Sequence, residues 1–296
     1  MPTTKPIRDR IENLKAEYDS LKTNKGALLA IIDEAEIPEN VYNSNAIENS
    51  TLTLKETEKI LLEQELAREV SIREVFEAKN LARVIEYKRN NNGKLEFTKE
   101  NILLLHQMLI GGIDDAIAGR FRKQGEYVRV GTHIAPAPEH VERMIESILL
   151  EYSKDFQTYF LDKIGKFHLE FETIHPFCDG NGRIGRVLIN LQLLSLGFPR
   201  IIIRNKEKIS YYQAFRDYKD KQETKGIEKI LVLGLLESLN KRITYLKGDG
   251  IITLSDFISK NGLSSSAITN AAKKQTIPAF REKGKWKISE QFKYKK

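Results

Sequence analysis

A chain of 296 residues, 41% of them hydrophobic, is long enough to bury a large core and to hold two domains. Its formal net charge of +7 equals the excess of residues 251–296, which carry ten Lys and Arg against three Asp and Glu, so the basic character belongs to one small module. A single cysteine, Cys178, excludes a disulfide framework and makes a reducing cytoplasm the expected setting, while the lack of any apolar run near ~18 residues and of a signal-like apolar stretch in residues 1–10 excludes a membrane role.

From the N-terminus, Ile11, Leu14, Tyr18, Leu21, Leu28 and Ile31 recur at helical spacing, predicting two helices over residues 7–36 with a break near Asn24-Lys25-Gly26 and an end at Pro38. Next, Ser44 and Glu48 stand four apart and would share a helix face. Thr53 with Glu56 forms a capping box that opens a helix through Leu66, and Ser71 with Glu74 opens another to about Arg89, stopped by Asn90-Asn91-Asn92-Gly93. A helix follows over about 98–110, in which His106 reads as structural. Residues 120–138 change character: Tyr127, Val128 and Val130 between Gly125, Gly131 and two prolines predict a short β-hairpin. His133 and His140 read as surface or hairpin-packing residues. Two further helices are expected over 139–152 and 155–173.

The stretch HPFCDGNGRIGR, His175 to Arg186, is the centre of the sequence. Gly180, Asn181 and Gly182 precede an apolar pattern of helical period, so they open a helix whose unpaired N–H groups make an anion cradle suited to phosphate. Arg183 and Arg186, three residues apart, would place two guanidinium groups on one polyanionic ligand. Asp179 repels bare phosphate but suits a divalent cation bridging to it, and His175, with an ordinary imidazole pKa of about 6.5, suits a general base. A calcium loop fails because it needs Gly at Ile184 and Glu at Asn190, and a Walker-type loop fails because Arg183-Ile184 stands where Lys and Ser or Thr belong. Cys178 reads as filler, and five histidines without paired helical spacing argue against zinc.

Downstream, Ser210-Tyr211-Tyr212 opens a helix to about Lys221, and residues 227–246 form a long apolar helix before a linker at Gly248-Asp249-Gly250. In residues 251–296 two helices, 253–260 and 264–274, precede a hairpin over 280–289, an order that resembles a winged helix-turn-helix. Ser265, Ser266, Thr269, Asn270 and Lys273 would face a DNA groove and the wing lysines would meet phosphate, with protein contact as the rival use.

The motif at 175–186 resembles the signature of the Fic family, H-x-F-x-D/E-G-N-G-R-x-x-R, at every specified position. The resemblance implies a protein adenylyltransferase that moves AMP from ATP to a Ser, Thr or Tyr hydroxyl of a target protein. His175 is then the catalytic base, Asp179 the Mg²⁺ ligand, and the run Gly180, Asn181, Gly182, Arg183, Ile184, Gly185 and Arg186 the binding site of the ATP phosphates. A related phosphorylating branch carries lysine where Gly182 stands, so Gly182 and Arg186 favour AMP transfer. Ser44, Glu48 and Asn49 fit the family's inhibitory motif, S/T-x-x-x-E-G/N, which implies that Glu48 pairs with Arg186 and displaces the γ-phosphate; its place ahead of the catalytic motif is that of the branch with an N-terminal inhibitory helix. The hairpin becomes a flap over the site on which a target segment can add as a strand. Val128, Arg129, Val130 and Gly131 would line ATP, and Tyr211 and Tyr212 would lie beside adenine, although Lys219 replaces an asparagine of the nearest relatives.

The expected protein is mostly α: a Fic-type helical core with a β-hairpin flap over residues 1–247, and a winged helix-turn-helix module over 251–296. The alternatives are removal of AMP from a modified target, with Glu48 positioning water, and a DNA-binding regulator with a nucleotide-sensing core. A homodimer is a further expectation of the resemblance.

Overall fold

The computed structural model describes residues 3–65, 69–90, 96–131 and 133–294. Its elements follow the chain as helices α1 (Lys5–Lys22), α2 (Gly26–Ala35), α3 (Ile37–Ile47), α4 (Leu54–Glu58), α5 (Ile72–Asn90) and α6 (Lys99–Ile110). The hairpin β1 (Arg129–Val130) and β2 (His133–Ile134) comes next, then α7 (Pro138–Lys154), α8 (Phe160–Ile174), α9 (Asn181–Ser195), α10 (Lys208–Lys221) and α11 (Lys225–Lys247). Strand β3 (Ile251–Thr253), helices α12 (Leu254–Asn261) and α13 (Ser265–Lys273), and strands β4 (Phe280–Glu282) and β5 (Lys285–Ser289) complete it. Among the described residues no helix is long and apolar enough to cross a membrane.

Local chemistry explains most boundaries. The capping box at α4 is complete: Thr53 Oγ1 accepts from the Glu56 N–H at 3.2 Å while Glu56 Oε2 accepts from the Thr53 N–H at 2.8 Å. That helix widens into one π-turn over Lys59–Glu63 and stops at Gln64, which is left-handed; the expected end at Leu66 and the stop at residues 91–93 lie outside the described residues. Pro38 ends nothing. It sits in the first turn of α3, where its missing N–H has no intrahelical partner to lose. The segment 155–159 is not helical, because the Asp155 carboxylate accepts from the Gln157 and Thr158 N–H groups at 3.1 and 2.9 Å and holds a turn before α8.

The chain forms two compact units. One takes in Thr3, Ile37–Phe198 and Ile202–Ile230. Its core gathers Val41, Leu81, Val84, Leu105, Leu109, Ile145, Phe167, Phe171, Phe177, Ile184 and Leu188, with α8 packed on α9 and the motif loop 175–180 joining them. The other comprises Thr4–Glu36, Pro199–Ile201 and Leu231–Lys296. Within it, β3, β5 and β4 make a three-stranded antiparallel sheet in that order, and Leu254, Phe257, Ile268, Ala272, Ile277 and Ile288 form a core with α12 and α13. The expected division at 248–250 therefore does not mark where compact units part. Glu237 grips the Arg281 guanidinium at 2.7 Å, Asn240 donates to Gln275, and Tyr245 donates to Glu282, so residues 231–247 belong with the C-terminal elements.

This second unit also holds a buried charge cluster. Arg242 is 1% exposed and donates to Asp33 and, at 2.7 Å, to Glu36, which also meets Lys241 at 3.0 Å. Burial alone would raise the Glu36 carboxyl, but Arg242 and Lys241 hold it down at about 2. A depressed carboxylate adds stability that is full above the ordinary range near 4.5 and is lost as pH falls toward 2. Urea unfolding is expected to show that loss between those values, and Glu36→Gln is expected to remove this part of the pH dependence. Arg242→Met, which takes the shared cation from two partly buried carboxylates and leaves Glu36 with Lys241 alone, is expected to cost about 1–3 kcal/mol at pH 7.

Candidate active site

The first turn of α9 is built as its sequence dictates. Gly180 caps it at φ +83°, a left-handed conformation in which a Cβ would also stand 3.1 Å from Leu109 Cδ2. Two residues on, a Cβ on Gly182 would collide with Oε1 of Glu48, so only glycine lets a carboxylate lie on the helix start. Glu48 reaches it from the end of α3. Its N–H donates to Asn45 O, and Asn49, left-handed at φ +71°, turns the chain away.

Arg186 is the receiving group. It is buried, donates through Nη2 to Glu48 Oε1 and to the Ser44 carbonyl, both at 2.8 Å, through Nε to Ser44 Oγ at 2.9 Å, and lies 3.5 Å from the Tyr211 hydroxyl. Burial would lower its pKa, yet the Glu48 carboxylate raises it, so it is a permanent cation. Ser44 and Glu48, which their spacing put on one helix face, thus meet Arg186 together, the pairing that the family resemblance implied. The expected arginine pair does not form: Arg183 turns to Asp179 at 3.0 Å and to Glu77 at 3.2 Å. Asp179 accepts from Arg183, Arg73 and the Gly180 N–H; burial works to raise its carboxyl, and Arg183, that N–H and Arg73 hold it below the usual range. Asn181 is also spent internally, accepting from the Phe177 N–H and donating to the Phe177 carbonyl, both at 2.8 Å, so its side chain shapes the motif loop instead of reaching a ligand.

His175 ends α8 in the left-handed region, at φ 50° and ψ 63°, with its N–H bonded to Phe171 O. Its Nδ1 lies 3.3 Å from the Glu172 carbonyl, which can only accept, so the ring carries its proton on Nδ1 and its lone pair on Nε2. Burial pushes the imidazole down to about 4, not the ordinary value expected of an exposed histidine, and leaves it neutral at pH 7. His106 supports the loop, bonding through Nε2 to the Asp179 carbonyl and through Nδ1 to the Gly119 N–H while stacking on Phe177 at 3.7 Å. Cys178, its thiol pushed up to about 11 chiefly by burial, is no nucleophile at neutral pH.

Beside His175 opens a cavity of about 430 Å³, lined by Val130, Gly131 and His133 of the hairpin, Glu172 and Thr173 of α8, Lys208, Tyr212, Phe215, Arg216 and Lys219 of α10, and Asn49. His133 packs the hairpin onto α8 through Nε2 and the Thr173 carbonyl at 2.8 Å. Of the tyrosine pair only Tyr212 faces this cavity; Tyr211 is buried with its hydroxyl on His168 at 2.8 Å. Ile184 and Gly185 do not reach it either, since Ile184 is core and a Cβ on Gly185 would collide with Glu172. Val128 offers its carbonyl to the Ala135 N–H, and Arg129 is exposed. Among the described residues no three His, Cys, Asp or Glu side chains gather as a metal site.

Sequence reasoning missed four contributors. Arg122, buried, staples hairpin to motif by donating to the carbonyls of His175 at 2.8 Å and Pro136 at 2.9 Å. Arg73 and Glu77 of α5 partner Asp179 and Arg183, and Glu172 sits under the base. No local pattern marks the first three, whereas Glu172, three residues before His175 on a helix, could have been found from spacing.

Residues 96–193 match the model of the Fic/DOC family. The Drosophila melanogaster protein adenylyltransferase Fic is 32% identical over 214 residues, covering 69% of this chain and 42% of that protein, and the Nematostella vectensis protein of the same name is 31% identical over 211 residues, covering 69% and 48%. The chain thus spans less than half the length of these curated relatives. Among solved structures, a Fic domain containing signaling protein from Bacteroides thetaiotaomicron aligns with TM-score 0.73 at 24% identity over 81% of this chain and 97% of that one. A Fic family protein from Desulfovibrio desulfuricans aligns over the whole of both chains with TM-score 0.64 at 20% identity, a likeness of fold.

Proposed function

The chain belongs to the Fic/DOC family, and on that premise we propose that it is a protein adenylyltransferase, moving AMP from ATP to a hydroxyl side chain of a target protein, with Glu48 as its built-in inhibitor. The observation that carries this reading is the Glu48 carboxylate resting on Gly182 and Arg186: an anion occupies the helix start that suits phosphate, a short distance along the motif from a neutral histidine.

In the reaction, the triphosphate takes the place of the Glu48 carboxylate at the N-terminus of α9 and on Arg186, and the nucleoside occupies the cavity against Val130, Gly131 and Tyr212. His175 accepts the proton of the acceptor hydroxyl at Nε2. The hydroxyl oxygen bonds to the α-phosphorus, the bond from that phosphorus to the β-phosphate bridging oxygen breaks, and pyrophosphate leaves. Asp179 suits Mg²⁺ of the kind held by one protein carboxylate, phosphate oxygens and water, an ion that would neutralise phosphate charge when bound. The exposed edge residues Arg129 and Ile134 of the hairpin give a target segment a strand to pair with.

The direct test compares ATP labelled at the α-phosphate with ATP labelled at the γ-phosphate. Transfer of the first label alone to protein supports AMP transfer; transfer of the γ label would reassign the site to phosphorylation, and transfer of neither, with Glu48 removed, would reject it.

For residues 251–296 we propose a winged helix-turn-helix that touches DNA; the sheet order β3–β5–β4 with α12 and α13 supports the layout, and the excess of Lys and Arg supports the DNA contact. Ser265, Ser266, Asn270 and Lys273 are exposed on α13, Thr269 half-buried. Duplex DNA is expected to bind the full chain with salt-dependent affinity, and Lys273→Glu to weaken it and flatten the salt dependence by about one ion. Binding indifferent to salt would leave protein contact as the use of this surface.

A further inference from the structure

Glu172 is a buried carboxyl beside the base that the transfer chemistry above does not use. Its side chain is 11% exposed, its Oε1 is buried without a hydrogen-bond partner, and its Oε2 lies 3.9 Å from His175 Nδ1, the nitrogen its own carbonyl already holds at 3.3 Å. Gly185 makes room for it, since any Cβ there would stand 2.5 Å from Oε1. A polar atom buried without a partner costs about 1–3 kcal/mol, so this placement asks for a reason.

Building on the adenylyltransferase reading, we propose that Glu172 is a positioning residue for His175: its carbonyl fixes the ring with the lone pair on Nε2, and its side-chain carboxyl sets how readily the ring takes up the hydroxyl proton. The ring gains that proton as the oxygen bonds to phosphorus, becoming an imidazolium whose nearest carboxyl is Glu172. A neutral carboxylic acid there gives the imidazolium little help, and a carboxylate stabilises it, so the ionisation of one buried acid grades the strength of the base.

The charged and titratable groups facing Glu172 make that grading dependent on the inhibitor. His168 and His175 lie on its own helix, Arg186 on α9, Tyr211 and Tyr212 on α10, and Glu48 at the end of α3. Burial pushes the Glu172 carboxyl up to about 8, the Glu48 charge pushes the same way, and Arg186 opposes both. With Glu48 in place the acid is neutral at pH 7. Withdrawal of Glu48 lowers the pH at which it ionises.

The test has one arm free of activity. The ring resonances of His175, followed by NMR in the full chain, are expected to pass through an inflection near pH 8 that Glu172→Gln abolishes and Glu48→Gly shifts to lower pH. The second arm measures AMP transfer from pH 6 to 9 with Glu48→Gly as parent. Adding Glu172→Gln, which keeps shape and carbonyl but cannot ionise, is expected to cost little at pH 6 and about tenfold at pH 9. Glu172→Met, of similar length, serves if the amide disturbs folding. An inflection that survives in both variants, or an equal loss of rate at every pH, would overturn the proposal. If the parent transfers no AMP, the adenylyltransferase reading fails while the NMR arm still decides what Glu172 does to His175.

Discussion

Glu48→Gly is expected to raise AMP transfer by about 10- to 100-fold, read as protein labelling from α-labelled ATP. Glu48 obstructs the site in two ways: its carboxylate fills the space over Gly182, and it neutralises the cation that would hold phosphate. A hydrogen bond to a charged group contributes about 1.5–3 kcal/mol, and that free energy, no longer spent in displacing the carboxylate, corresponds to the stated factor. Arg186 stays in place without it, since Ser44 still accepts from Nε and Nη2. The substitution should therefore vacate the cradle without dismantling it. Equal labelling by the two proteins would sink the inhibitory assignment.

The second large effect is expected at the base. In the Glu48→Gly background, replacing His175 should lower the rate by about 10²–10⁴-fold, the usual contribution of a positioned general base, with nucleotide affinity retained. Asparagine is the better replacement than alanine. His175 has φ 50°, a left-handed conformation that asparagine tolerates, so His175→Asn removes the base without straining the turn on which the motif loop hangs. Because burial holds the imidazole near 4, the pH profile of the parent should lack the acid limb near 6.5 that an ordinary histidine gives; protonation of His175 should cut the rate only toward pH 4, and any step at higher pH belongs to Glu172. A variant that keeps more than about a tenth of the parent rate would remove His175 from the chemistry.

Helix periods, the capping box of Thr53 and Glu56, the hairpin and the glycine-led start of α9 were all legible in the sequence, because each is settled by residues within a few positions of one another. The pairing of Glu48 with Arg186 was also foreseen, though through resemblance to a family and not from physics. Strand β3 was not, since three residues become a strand only by pairing with β5, more than thirty positions later. The turn at Asp155 and the helical start at Pro38 show the limit of periodicity where one side chain or one missing N–H governs.

The sequence by itself determined which chemical groups this protein possesses and their order: an imidazole, an amide-rich helix start, two arginines and a distant glutamate. Tertiary structure alone decided how they are employed. It parted Arg183 from Arg186 by giving each a different carboxylate, buried Tyr211 while leaving Tyr212 at the cavity, and lowered His175 while raising Glu172. The reason is that spacing along a chain fixes covalent neighbours, whereas hydrogen-bond partners, burial and the charges that shift a pKa come from residues brought close only by folding.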